Sequence, residues 1–183
     1  MRELTITALD ETAQALARRV LGADFTPPPP FWIWAQSMDL AEHVEPLGGY
    51  CRKESHLPVR LRELSVLIVG RHNRSPFAWW AHYESAIEAG VPRECLDRLA
   101  AGSEPEFVAH DEATAYRFAS TILNKHAVSD ELFEQAKTEL GMTGLIDLLG
   151  CMGSFSMSAW ALNVFKLGLD DATPWPFPDT EPF

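Results

Sequence analysis

The chain has 183 residues, 46% of them apolar and 22% charged, which suits one globular domain with a core of its own. Its net charge of −11, with no Lys/Arg cluster to offset it, opposes nucleic-acid binding because a phosphate backbone would be repelled. Cys51, Cys95 and Cys151 are odd in number, far apart and outside any CxxC pattern, so neither a disulfide framework nor a zinc ribbon is indicated and a reducing cytoplasm fits.

The charged, amphipathic start MRELTITALDETAQALARRV has no apolar signal-peptide core. Its periodicity predicts a first helix over Leu9–Leu21, stopped by Gly22. Pro27, Pro28, Pro29 and Pro30 each fix φ and lack an amide donor, so an extended segment is expected there. Phe31, Trp32 and Trp34 follow directly and would lay aromatic surface on the body.

A second helix is expected over Met38–Arg52. A third starts near Pro58 and runs to about His72, and a fourth opens at Pro76 and ends at Gly90. The short Asn73–Ser75 turn between these two predicts a tight helical hairpin. Pro92 starts a short fifth helix, and His110–Lys125 gives a sixth. Ser129-Asp130-Glu131 reads as a capped start to a helix ending at Gly141, and a last apolar helix runs from about Thr143 to Lys166.

Leu148–Phe165 carries no charge and is long enough to raise the question of a membrane span. Gly150, Gly153, Ser154, Ser156, Ser158 and Asn163 dilute it, while Asp147 and Lys166 close it, so a buried core helix is expected and no membrane. No alternating strand or Asn-Gly hairpin stands out. The class is all-α, a bundle of about seven to eight helices in a single domain. Residues 1–37 form an N-terminal helix and proline-rich aromatic linker, and residues 168–183 a proline-rich tail (PWPFPDTEPF at its end) that packs on its own subunit or a neighbour.

The candidate chemistry sits in the hairpin. Glu63 and His82 are nineteen positions apart, and antiparallel helices joined by a short turn bring residues early in one beside residues late in the next. Leu61, Leu64, Val66, Leu67, Ile68 and Val69 make the third helix apolar nearly all round, which buries it. Desolvation is then expected to raise the pKa of Glu63 and suit it to proton exchange. Each residue also has a bland reading. Glu63 could stabilise the helix dipole or pair with Arg60 or Arg62, and His82 could be a satisfied core histidine.

Arg71 is the candidate for holding a substrate carboxylate by bidentate hydrogen bonds, or else a solvated cation at the helix end. Phe77, Trp79, Trp80 and Trp160 could line an aromatic pocket or serve in packing. Tyr83 offers a phenol close to His82. His43, His56, His110 and His126 have no spacing that defines a metal site.

The run RELSVLIVGRHNRSPFAWWAHYESAIEAG resembles the carboxymuconolactone decarboxylase and alkyl hydroperoxidase D superfamily. The peroxidase branch has Glu-x11-Cys-x2-Cys-x3-His, which falls here on Glu63, Ser75, Ala78 and His82. The decarboxylase branch looks closer, with Arg62-Glu63-Leu64, Arg71, Ser75, Phe77, Trp79 and His82 matching its segment. LGGYCRKESHLPVRLREL and GSFSMSAWALNVF look like flanking helices, so the family core is read as residues 38–167.

The resemblance implies an all-helical fold assembled as a trimer or hexamer. It also implies a cofactor-independent decarboxylase acting on a small carboxylated, cyclic or aromatic-derived compound. His82 and Glu63 would be catalytic, and Arg71, Ser75, Phe77, Trp79, Tyr83 and Trp160 would bind substrate. Two departures matter. A site without the dithiol cannot cycle through a disulfide, which argues against thiol peroxidase chemistry. Ala78 also replaces the glutamate usual in the decarboxylase branch, which leaves isomerase, dehydratase or cyclase activity, or non-catalytic ligand binding by a helical oligomer, as alternatives.

Overall fold

The structure is a computed structural model that describes residues 10–21, 27–166 and 172–182. Among these residues there are eight helices and no strand. The first, α1 (Glu11–Leu21), is capped by Asp10, whose Oδ1 accepts from the Ala13 amide at 2.8 Å. The expected boundaries at Leu9 and Gly22 fall outside the described residues.

The proline run departs from expectation. Pro28 is extended (φ −71°, ψ 161°), but Pro29 and Pro30 open a short helix, α2 (Pro29–Trp34). The first helical amides have no intrahelical partner, so prolines lose nothing there and arrive with φ already set. Helix α2 buries Phe31 and Ile33, and Trp32 Nε1 donates back to the Pro27 carbonyl at 3.0 Å.

Then follow α3 (Met38–Lys53), α4 (Val59–His72), α5 (Pro76–Glu88), α6 (Arg93–Ala100), α7 (His110–Lys125) and α8 (Asp130–Phe165). Ser129 caps α8 by accepting from the Leu132 amide at 3.3 Å. Gly141 breaks α8 into two helical segments with φ 69° and ψ 164°, a region open essentially to glycine alone. The expected stop and restart are both present.

Helix α4 is the centre of the bundle, packed against α5, α7 and α8. Leu64, Val66, Leu67 and Val69 are fully enclosed. Gly70 lets α5 approach closely, since a Cβ there would meet the Ala78 Cβ at 3.4 Å. Helix α8 is long and apolar enough to cross a membrane, but Leu145, Leu148, Cys151 and Met152 bury its inner face in the main core. The described tail residues pack on their own chain. Phe177 is fully buried edge-on to Trp79, at 5.4 Å between ring centres, and the Trp80 indole donates to the Pro174 carbonyl at 2.9 Å.

Candidate functional site

Glu63 projects from α4 and His82 from α5, on facing sides of the hairpin. Oε2 of Glu63 lies 2.6 Å from Nδ1 of His82, and Oε1 accepts from Arg62 Nε at 3.2 Å. Arg60 turns away to pair with Asp111 and Glu112 of α7, so only one of the two arginines adjacent in sequence reaches Glu63. A carboxylate can only accept, so Nδ1 carries a proton, and Nε2 is the ring nitrogen left to meet a ligand. No described residue partners Nε2. The ring is held edge-on to Phe155 of α8, 5.3 Å between centres.

The charge state of Glu63 differs from the expectation. Burial does push its carboxyl up, but the hydrogen bonds and charges of His82 and Arg62 outweigh burial, and its pKa lies below the ordinary value. Glu63 is therefore ionised near neutrality. As a hydrogen-bond acceptor it fixes the orientation of the His82 ring.

His82 opens onto a cavity of about 140 Å³, close to the ~150 Å³ that admits a benzene ring in an apolar core. Its walls are mostly apolar: Trp34 of α2, Phe77 of α5, and Phe155 and Leu162 of α8. Walls of this kind keep the local dielectric low and strengthen every charge interaction inside. Ala78 also faces the cavity, and Glu45, Gly48 and Arg52 of α3 complete it. The Arg52 side chain, 34% exposed, stands at the mouth and reaches Glu45 Oε2 at 3.5 Å.

Residues 39–119, spanning most of α3 through much of α7, match the Carboxymuconolactone decarboxylase family. Over this segment the chain is similar to the carboxymuconolactone decarboxylase family. No curated protein matches the chain. The matched segment contains Glu45, Arg52, Ala78 and His82, so it supplies the ionisable groups of the cavity lining, while α8 adds Ser154 and Ser158 and, with α2, much of the apolar wall.

Of the other expected site residues, Phe77 lines this cavity and the rest do not. Arg71 lies on another side of α4. There its Nε donates to the Leu99 carbonyl at 3.1 Å, its Nη2 to Asp179 Oδ2 at 2.5 Å, and its guanidinium covers Phe177 at 5.2 Å. It fastens the tail and lines a separate cavity of about 420 Å³. Ser75, the residue before α5, is fully buried with its Oγ unpartnered. Trp79 is core. Tyr83 donates to Asp97 Oδ1 at 2.5 Å, beneath the Arg93 guanidinium. Trp160 is 57% exposed and donates to Asn73 Oδ1 at 2.6 Å.

Sequence reasoning missed Glu45 and Arg52. Their signal was available, because positions 45, 48 and 52 follow helical spacing and share one face of α3.

Proposed function

We propose that the protein is a cofactor-independent lyase that decarboxylates a small carboxylated ring compound in the His82 cavity. The observation that carries this reading is the Glu63–His82 contact at 2.6 Å, with Nε2 free at a ring-sized, apolar-walled cavity. The match of residues 39–119 to the carboxymuconolactone decarboxylase family supports the reaction class. As the bond to the departing carboxylate breaks, its electron pair flows into the conjugated ring system. His82, protonated on Nε2 by solvent before the cycle, gives that proton to the ring carbon and is protonated again by solvent as product leaves, while Glu63 steadies the cation. Such proton transfer contributes about a hundredfold to ten-thousandfold in rate.

Arg52 takes the place expected for Arg71. A guanidinium that held the departing carboxylate would oppose its loss, so Arg52 at the mouth holds an anionic group that the substrate keeps. The test is carbon dioxide release from a panel of small ring diacids. His82→Ala should slow it by about a hundredfold or more, and unchanged turnover in that variant would refute the reading.

Ala78, which removes the usual acid, is the observation that favours isomerisation or dehydration in the same pocket. Turnover without carbon dioxide would select that alternative.

The same reading has the protein assemble with copies of itself. Met142, Ile146, Leu149, Trp160 and Val164 form an exposed apolar stripe along α8. Between them Gly150 and Gly153 have open space at the Cβ position, so a second helix could come close. In a chain of net charge −11, this uncharged face is where two copies meet without repulsion. Light scattering should give an oligomer that Ile146→Lys breaks, and a monomeric wild type would contradict it.

A further inference from the structure

Neither packing nor pairing explains the placement of Glu45. The residue is 3% exposed, and stripping a carboxylate of water costs several kcal/mol unless good partners replace the solvent. Among the described residues its one hydrogen bond, from Arg52 at 3.5 Å, is longer than an ordinary N–H···O bond, and Oε1 has no partner there. Burial accordingly pushes the Glu45 carboxyl above its ordinary value against the opposing pull of Arg52.

The surroundings are built around this loose pair. Gly48 lies between the two on the same helical face, and a Cβ there would sit 2.9 Å from Arg52 Nη1, so glycine lets the guanidinium fold back toward Glu45. Across the cavity stands Ala78, at the position where the decarboxylase pattern has a glutamate. The cavity thus contains a carboxylate after all, brought by α3 and not by α5.

We propose that Glu45 is the acid of this site: a ligand carboxylate at the mouth claims Arg52, and Glu45, left buried without its cation, binds a proton and donates a hydrogen bond to the ligand oxygen on which negative charge collects. The inference rests on the lyase reading and deepens it. The charged and titratable groups facing Glu45 are Arg52 of α3 and His82 of α5, with Glu63 and Arg62 of α4 behind His82. Helices α2 and α8 bring no charged side chain to the lining.

The proton comes from solvent and returns there when the product leaves and Arg52 pairs with Glu45 again, so the carboxyl ends each cycle unchanged. A neutral acid in an apolar site is a strong donor to a developing oxyanion, and loss of such a donor costs about a hundredfold to a thousandfold in kcat. The ligand class that follows is a ring acid with a retained carboxylate outermost and a carbonyl or enol oxygen deeper in.

Benzoate is a suitable probe, a single ring with one carboxylate. Calorimetry at about pH 6.5, above the ordinary carboxylate range, in buffers of different ionisation enthalpy measures protons taken up on binding. Histidine-labelled NMR reports His82 in the same samples. Wild type should bind benzoate with net proton uptake and a shifted His82 resonance. Glu45→Gln should bind within about threefold of wild type but without the uptake, and Arg52→Gln should lose the uptake and bind about tenfold or more weaker. Uptake that persists in Glu45→Gln, or binding without uptake in wild type, overturns the role of Glu45 while a shifted His82 leaves the pocket reading standing. An unmoved His82 overturns both.

Discussion

Oε2 of Glu63 meets Nδ1 of His82 at 2.6 Å, tying α4 to α5 from inside the hairpin. Glu63→Gln removes the charge and keeps the shape, so it should cost about 1–3 kcal/mol of stability near neutrality, as for a hydrogen bond to a charged group. Because the folded pKa of Glu63 lies below its ordinary 4.5, its contribution is complete above that value and is lost as pH falls through the folded value. Denaturant unfolding at neutral and acid pH should therefore show wild type and variant converging in acid, and a constant difference would contradict it.

The two arginines should separate cleanly. Arg52 lines the His82 cavity and Arg71 does not, so Arg71→Gln should leave benzoate affinity within about twofold, whereas Arg52→Gln weakens it about tenfold or more. Equal losses in both variants would restore Arg71 as the carboxylate clamp.

Gly48→Ala should be more stable and yet bind less well. Replacing a helical glycine by alanine gains about 0.5–1 kcal/mol, while the new Cβ, 2.9 Å from Arg52 Nη1, pushes the guanidinium out of place. Thermal unfolding and benzoate titration should move in opposite senses.

Gly141→Ala isolates a backbone effect. Nothing lies within 4 Å of the added Cβ, so the cost is that of holding alanine at φ 69°, ψ 164°, about 1–3 kcal/mol. Thermal unfolding of the variant measures it.

The hairpin was legible because its signals are local: an all-round apolar helix, a three-residue turn and a proline at the next start. Those same signals put Glu63 opposite His82. Pro29 and Pro30 misled because the feature that forbids proline inside a helix is harmless at its first turn. Arg71 misled because sequence places it near the turn without saying that the tail, through Phe177 and Asp179, would return to hold it. The pKa of Glu63 was expected to rise because burial was visible in the sequence and the combined pull of His82 and Arg62 was not. Glu45 escaped notice because it comes from a helix outside the hairpin.

The central claim is proton delivery by His82 to substrate carbon, and turnover of a small ring diacid in heavy water tests it most directly. The wild-type product should carry one carbon-bound deuterium, and His82→Ala should form it about a hundredfold more slowly or worse. Full-rate, deuterium-bearing product from His82→Ala would contradict the account.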